Sequence, residues 1–316
     1  MARYIVIRLL WIIVVFLLLF VIIYFTASLA HLAFWERSLP FREQLQISYE
    51  GFITFLDDLF FGTLEQEGRR ETVMETFRKT APVSLSIVGV GFLFTLAAGL
   101  FLGVMSAVYK NSFFDYVIST ITLFFASIPA YLWVIGLMVM FAWTLGWLPG
   151  MYPVYAADMG TPPIDVQIIG MIIPVIALSF YPVATFAQLI RGEVIEQNTS
   201  DALLLAKAKG LSTRRALFKH SLPLSFLPIL REIPNMFIFM LFNAFLVEVA
   251  YNVPGIARWF YHSVYMNVMD SGTFNIDPPV VVIVSLFYAA LMLIMTLIVD
   301  LSYGLIDPRI NMQGKK

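Results

Sequence analysis

The chain has 316 residues, of which 60% are hydrophobic and 13% are charged, and its mean hydropathy is +0.84. This composition excludes a soluble globular domain and indicates a polytopic membrane protein. The formal net charge of −1 gives no basis for nucleic-acid binding, and the lack of cysteine excludes disulfides, thiolate catalysis and Cys-ligated metal sites.

The first predicted element is a transmembrane helix over residues 9–30. Arg3 and Arg8 precede this apolar run, as they would in a secretory signal. The run is too long for the apolar region of a signal peptide, and about twenty apolar residues span the hydrocarbon core. We therefore expect an uncleaved first span.

The segment 31–80 follows the first span and mixes aromatic with acidic side chains. Trp35, Phe41 and Phe60 stand among acids such as Glu43 and Asp57. This pattern predicts an amphipathic segment. Two interpretations are open: a helix lying on the outer membrane face, or a docking surface for an extracytoplasmic partner.

Five further apolar stretches bring the predicted number of spans to six. Gly99 and Gly103 form a GxxxG pair in the second span, which lets another helix approach closely. Pro129 predicts a kink or break in the third span, because proline frees a backbone carbonyl inside a helix. The five stretches are residues 82–108, 116–148, 166–190, about 226–249 and 279–299.

Six spans place both termini on one side of the membrane, and the basic residues indicate which side this is. Most of the arginines and lysines outside the segment 31–80 fall on the side of the termini, including the cluster in residues 207–219. The positive-inside rule makes that side the cytoplasm.

The segment DALLLAKAKGLSTRRALFKHSLP, residues 201–223, is basic and helix-forming inside this apolar chain. Ser200 is a suitable N-cap, Asp201 suits the first helical turn, and Gly210 suits a left-handed C-cap. Ser212 then begins a second helical piece. We predict a helix, a glycine break and another helix on the cytoplasmic face.

One side of the first of these helices is mostly small and apolar. Ala202, Leu205, Ala206 and Lys209 share that side at helical spacing. A protruding helix of this kind suits a groove in another protein. The alternative is a basic loop explained by the positive-inside rule and by anionic lipids.

Three ordered motifs resemble those of one family, the permease subunits of binding-protein-dependent ABC importers, in particular the oligopeptide, dipeptide and nickel branch. Glu248 with Pro254 and Gly255 is similar to its E-x-x-F-x-x-P-G motif, and DLSYGLIDPRI, residues 300–310, to its closing motif. The N-terminal RYIVIRLL resembles that of the first of its two permeases. The residues that match its cytoplasmic EAA loop are Arg191, Asp201, Ala206, Lys207, Ala208, Lys209, Gly210, Leu211, Ser212, His220 and Pro228.

The chain also departs from the family pattern. Leu205 stands where the family has threonine, and Ala202 where it has tyrosine. SLAHLAFWERSLP replaces the family's P-G-D-P-like turn after the first span. An extra polar stretch covers residues 266–275.

The resemblance implies an all-α type I ABC importer permease fold with six transmembrane helices and a cytoplasmic coupling helix. It implies a bacterial inner-membrane protein with both termini in the cytoplasm. The implied parts are a first span (1–30), an extracytoplasmic segment (31–80), a five-helix permease core (81–310) with the coupling loop 191–223, and a cytoplasmic tail (311–316).

The resemblance also implies partners: a second homologous permease, two cytoplasmic ABC ATPases, an extracytoplasmic substrate-binding protein and membrane lipid. We expect no catalytic residue, cofactor or metal in this chain. ATP and Mg would bind to the ATPases, because the chain has no G-x-x-x-x-G-K-[ST] motif. The solute implied by the resemblance is a peptide.

The roles implied for the site residues are mechanical. The residues expected to couple to the ATPase are Asp201, Leu205, Ala206, Lys207, Ala208, Lys209, Gly210 and Arg215. In this set the alanines allow close seating, Gly210 sets the break and the basic residues meet acidic groups. The structural or gating candidates are Gly99, Gly103, Pro129, Glu248, Pro254 and Gly255.

Three rival functions differ in what they require. An ion-driven secondary transporter also uses broken helices, but it would need acids or bases at mid-membrane, which the spans almost lack. A membrane-embedded enzyme would need paired carboxylates or a Ser and His constellation, which no span carries. A non-transporting scaffold or sensor on the permease fold is an open alternative.

Overall fold

The computed structural model describes residues 2–35, 39–66, 71–153, 162–198, 200–271 and 277–306. Within these ranges the chain forms eleven α-helices, and strand pairing amounts to an isolated bridge between Glu65 and Thr72. The helices are α1 (Ala2–Trp35), α2 (Phe41–Phe61), α3 (Val73–Val108), α4 (Phe113–Ser127), α5 (Ala130–Leu137), α6 (Ile164–Gln197), α7 (Asp201–Ala208), α8 (Thr213–Ala216), α9 (Leu222–Ala250), α10 (Ile256–Ser271) and α11 (Pro278–Ile306). Two π-helical segments, Met138–Thr144 and Leu217–Ser221, extend α5 and α8.

Five helices of the described chain are long and apolar enough to cross a membrane: most of α1, then α3, α6, α9 and most of α11. The segments Phe113–Ser127 and Ala130–Thr144 pass the same test together, with a bend of 100° at the break between them. The predicted six spans are therefore reached when this bent pair counts as one. The predicted break at Pro129 is confirmed.

The chain divides into two compact units, of which the first comprises Met1–Leu85 and Asn252–Leu297. In this unit α2 packs along α1. The Tyr24 ring lies 4.9 Å from that of Phe52 and 5.1 Å from that of Phe55, and Ser28 donates a hydrogen bond of 2.9 Å to Ser48. Within the predicted amphipathic segment 31–80, residues 41–61 form the helix α2. The role of this segment at the membrane or toward a partner stays a prediction.

A buried hydrogen-bond network holds α10 in the first unit. The Gln66 side chain accepts a bond of 3.0 Å from the Trp259 indole N–H and donates one of 2.8 Å to the Ser263 hydroxyl. The Ser263 hydroxyl in turn donates to the Trp259 carbonyl oxygen. We did not predict α10, so the five helices expected in 81–310 understate the helix content of that region.

The helix α3 begins at Val73, whereas the sequence predicted a span from residue 82. A capping box explains the earlier start: the Thr72 hydroxyl accepts from the Glu75 amide, and the Glu75 carboxylate accepts from the Thr72 amide. The helix α3 therefore runs through residue 80, where the sequence predicts the division between the segment 31–80 and the permease core.

The second unit comprises Ser86–Tyr251 and Ile298–Lys316 and is organised around α6. This helix packs against α4, α5 and α9. Aromatic side chains support the bend at Pro129: the Phe125 ring stacks on Phe180 at 4.3 Å, and the Trp133 indole N–H donates to the Phe125 carbonyl at 3.4 Å.

Gly99 and Gly103 lie where α3 contacts α6. A Cβ atom at Gly99 would lie 2.8 Å from Cδ1 of Phe186. At Gly103 it would lie 2.6 Å from the carbonyl oxygen of Ala187 and 2.7 Å from Cβ of Ile190. The absence of a side chain is therefore what permits this close approach.

We expect Gly103→Ala to destabilise the protein by about 1–3 kcal/mol, because the new methyl group overlaps a backbone carbonyl that cannot rotate away. The measurement is the thermal unfolding of the purified protein in detergent. Gly89→Ala on the same helix is the matched control, because a Cβ there meets no atom within 4 Å. Equal unfolding temperatures for the two variants would contradict the prediction.

Candidate functional site

The helix α7 begins directly after the end of α6. The Ser200 carbonyl oxygen accepts from the amides of Leu203 and Leu204 at 3.0 and 3.1 Å, which starts the helix. Its hydroxyl donates back to the Gln197 carbonyl at 2.7 Å. Ser200 therefore lies at the predicted cap position of α7. Its carbonyl oxygen starts α7, and its hydroxyl forms a hydrogen bond to α6.

Gly210 ends this helix in the left-handed conformation, with φ at +86°. Only glycine adopts this conformation without a steric penalty, so its position fixes where α7 stops. The Ser212 carbonyl then accepts from the Ala216 amide at 2.9 Å and begins α8. The predicted order of helix, glycine break and helix is confirmed.

The helix α7 has one anchored face and one open face. Leu203 is 1% exposed and packs with Ala216 and Leu211. Leu204 and Leu205 are 57% and 58% exposed. Two large apolar side chains on the open face of a short helix favour contact with another protein.

The predicted coupling residues lie on α7 and in the residues that follow it, as far as Arg215 of α8. Those with a described side chain are all exposed: Asp201, Leu205, Ala208, Lys209, Gly210 and Arg215. The side chains of Ala206 and Lys207 lie outside the described part. Leu204 was not among the predicted coupling residues, and its exposure extends the apolar face beyond the small residues expected there.

A buried cluster joins this segment to the span helices of the second unit. Leu217, in the π-helical continuation of α8, packs with Ile190 and Val194 of α6, Ile229 of α9 and Ala107 of α3. The π-helical continuation of α8 therefore packs directly against three of the candidate spans.

An ion pair fastens α4 to α6 in the same unit. Asp115 accepts from Nε of Arg191 at 2.7 Å and from its Nη2 at 2.8 Å. The Ser106 hydroxyl also donates to this carboxylate, and so does the Asn111 amide at 2.9 Å. Asp115 is almost fully buried, whereas Arg191 keeps 32% of its side chain exposed.

This carboxylate also shapes the connection between α3 and α4. Asn111 has a positive φ of 62°, a conformation that asparagine tolerates better than most residues. Ser112 is the N-cap of α4 and accepts from the Asp115 amide at 3.4 Å. Asp115 therefore fixes both a tight turn and the end of α6 that leads to α7.

The remaining candidates lie elsewhere. Glu248 is fully buried in α9 of the second unit. Pro254 and Gly255 belong to the first unit, where they line a cavity of about 270 Å³ with Trp259 and Arg258. Of the closing motif, Tyr303 donates to the Leu227 carbonyl at 3.0 Å, which ties α11 to α9.

The sequence did not indicate Asp115. Arg191 was one of the residues matching the EAA loop, but its partner is 76 positions earlier in the chain. The available signal was an acid in the first turn of α4, a few residues after the end of a span, which requires a partner if it is buried.

The chain is similar to transport proteins over most of its length. Residues 99–312 match the family described as the binding-protein-dependent transport system inner membrane component. The dipeptide transport system permease protein DppB of Bacillus subtilis is 30% identical over 245 residues, which cover 78% of this chain and 73% of the relative. The oligopeptide transport system permease protein OppB of Haemophilus influenzae is 28% identical over 265 residues, or 83% of this chain and 80% of the relative.

A solved structure shares the fold. It is an inward-facing form of the MetNI methionine ABC transporter, with a TM-score of 0.57 and 15% sequence identity. The alignment covers 74% of this chain and 97% of the solved one. At this level of identity the likeness concerns the fold alone.

Proposed function

We propose a role for this chain in transport, starting from its family. The chain belongs to the family of binding-protein-dependent transport system inner membrane components. It is a multi-pass membrane protein and a permease subunit of a binding-protein-dependent ABC importer. It has the type I importer permease fold that the sequence predicted. The comparisons do not support the two alternative functions, an ion-driven transporter and a non-transporting scaffold.

The proposed arrangement has this permease beside a second, homologous permease, with two ATPases below and a substrate-binding protein above. Both termini and the segment 200–221 face the cytoplasm of a bacterial cell. The basic residues around α7 and α8 support this orientation. ATP and Mg bind to the ATPases and not to this chain.

In this arrangement α7 is the coupling helix, and its open face lies in a groove of one ATPase. The observation that carries the proposal is the pair Leu204 and Leu205, which are more than half exposed while Leu203 anchors the same helix. Lys209 and Arg215, both exposed, are available to acidic groups at the edge of such a groove.

The coupling step is a rigid-body transfer of movement. When ATP closes the ATPase pair, α7 moves with its groove, and Leu217 carries the displacement into the cluster of α3, α6 and α9. The Asp115–Arg191 ion pair moves α4 with α6. The spans thereby alternate between inward-open and outward-open states.

The proposed solute class is peptides. Two relatives that cover most of this chain are named as dipeptide and oligopeptide permeases. The chain would form half of the pathway for such a solute, and the second permease the other half.

The experiment that tests this function is purification of the tagged chain from its native membrane in a mild detergent, with mass spectrometry of the bound proteins. We expect ATPase subunits and a second permease in the eluate. Leu205→Glu should remove the ATPases, because a carboxylate replaces an apolar side chain in a closed interface.

The matched control is Leu205→Met, which keeps an apolar side chain of similar volume and should retain the ATPases. Wild-type amounts of ATPase bound to Leu205→Glu would show that α7 is not the docking helix. A chain that purifies without any ATPase would contradict the proposed function as a whole.

A further inference from the structure

A groove lies between α6 and α9, and the mechanism above does not use it. It has a volume of about 320 Å³. Tyr181 and Thr185 of α6 line one side, and Glu232, Asn235 and Phe239 of α9 line the other. Both helices are candidate membrane spans, so the groove runs within the membrane-crossing part of the second unit.

The polar part of the groove is rich in hydrogen-bond acceptors. The Glu232 carboxylate is partly buried and accepts a bond of 3.1 Å from the Asn235 side-chain amide, which orients it. A carboxylate has lone pairs for about four donors, so this bond leaves most of its capacity for another group. The Thr185 hydroxyl donates its proton to the Tyr181 and Pro182 carbonyls, which leaves its oxygen as an acceptor.

The other part of the groove is aromatic. The Tyr181 ring stacks on the Phe239 ring with 4.3 Å between centroids and 29° between planes. Met236 adds a flexible apolar side chain to the same wall. A negative, acceptor-rich part beside an apolar wall is complementary to a solute with a positively charged amine and an apolar body.

The charge of the Glu232 carboxylate indicates what kind of group contacts this groove. An acid inside a span is strongly disfavoured against lipid hydrocarbon, and such residues face a water-filled cavity or a protein partner. Acceptors on both sides of one groove, with a carboxylate among them, suit a donor-rich cation. A solute pathway supplies such a group, together with water that can solvate the carboxylate.

We propose that this groove is the surface through which the subunit lines the solute pathway, and that Glu232 selects solutes carrying a positively charged amine, such as the free amino terminus of a peptide. The proposal rests on the importer function above and assigns it a selecting residue. Asn235 is a positioning residue that holds the carboxylate toward the groove.

The test uses the natural lack of cysteine, which makes an introduced thiol the only one in this subunit. Thr185→Cys places a thiol on the groove wall while leaving the bond between Glu232 and Asn235 intact. Membranes containing the whole transporter are treated with methanethiosulfonate reagents carrying either an ethylammonium or an ethylsulfonate group. Each rate is divided by the rate of the same reagent with a free thiol in solution, because a thiolate by itself favours a cationic reagent. We expect this corrected rate to be at least about tenfold higher for the cationic reagent than for the anionic one, because the carboxylate attracts it.

Three further variants test separately the charge at position 232 and the accessibility of the groove. Glu232→Gln keeps an acceptor for Asn235 but removes the charge, so the two reagents should react at similar rates. Glu232→Asp should preserve the preference for the cation. Ile238→Cys, which is exposed on α9 but does not line the groove, should react slowly with both reagents.

Uptake gives an independent readout. We expect Glu232→Gln to reduce uptake of alanyl-alanine at least about tenfold and Glu232→Asp to restore most of it, as for a charge-assisted contact. Unchanged uptake in Glu232→Gln would overturn the selection of amines.

Two thiol results would also overturn the inference. A Thr185→Cys thiol as protected as Ile238→Cys would show that lipid or protein covers the groove, and equal reagent rates with Glu232 present would show that no charge selection occurs. Either result with ATPase subunits still bound and ATP-driven uptake intact leaves the importer function standing. Loss of ATPase binding and of uptake from the unmodified protein would instead reject the importer function.

Discussion

We expect Gly210→Val to abolish ATP-driven uptake while the protein still inserts into the membrane at normal levels. The reason is the backbone: φ at Gly210 is +86°, a region that β-branched residues avoid. Forcing valine into this conformation costs about 1–3 kcal/mol, so α7 gains a different C-terminus and its open face turns away from the ATPase. We expect the uptake rate to fall at least about tenfold in reconstituted vesicles.

The control for this prediction is Gly210→Asn. A Cβ atom at Gly210 meets nothing within 4 Å, so space for a side chain is available and only the backbone conformation matters. Asparagine tolerates the left-handed region and should retain most of the uptake. If asparagine inactivates the transporter as fully as valine, crowding against a partner and not the backbone angle is the cause.

We expect Asp115→Ala to destabilise the protein by about 3 kcal/mol, which is the low end of the range for breaking a buried ion pair. The low end applies because Arg191 keeps 32% of its side chain exposed and can draw in water. The loss also frees the turn at Asn111 and the connection of α4 to α6. The measurement is the thermal unfolding temperature in detergent, followed by tryptophan fluorescence.

A double-mutant cycle separates the ion pair from the other contacts of Asp115. Arg191→Gln combined with Asp115→Asn replaces two charges with two amides that still bond to each other. This double variant should be more stable than the sum of the two single losses predicts, by about 1–3 kcal/mol. Strict additivity would mean that the two residues contribute separately.

The sequence predicted the features that depend on local pattern. Long apolar runs identified the spans, Pro129 identified the break of 100° between the two halves of the third span, and Gly210 identified the end of α7. Each follows from a property of one residue type or one window: hydrophobic length, a missing amide proton, or freedom at positive φ.

The features that the sequence did not predict depend on distant pairs. Gln66 and Trp259 are 193 positions apart, and their bond explains why a polar stretch forms the helix α10. Asp115 and Arg191 are likewise joined only by the packing of α4 on α6. Periodicity and composition carry no information about such pairs, so neither could be found without the fold.

One local signal was present and was missed. Thr72 and Glu75 form a capping box that can be recognised from their spacing alone. Hydropathy predicts a later start of the span, because the charged residues Arg78 and Lys79 lower the mean hydropathy of the first turns of α3. Capping residues mark where a helix begins, whereas hydropathy marks only which part of it suits lipid.

The two faces of α7 also bear on how such transporters diversify. Leu203 secures the helix to its own subunit, and Leu204 and Leu205 point away from it. Under the docking proposed above, substitutions on the outward face would change which ATPase binds without disturbing the fold or the pathway. A few such changes would stop the permease of one duplicated importer from binding the ATPase of the other. The same changes would allow separate ATPases to be assigned to separate permeases by design.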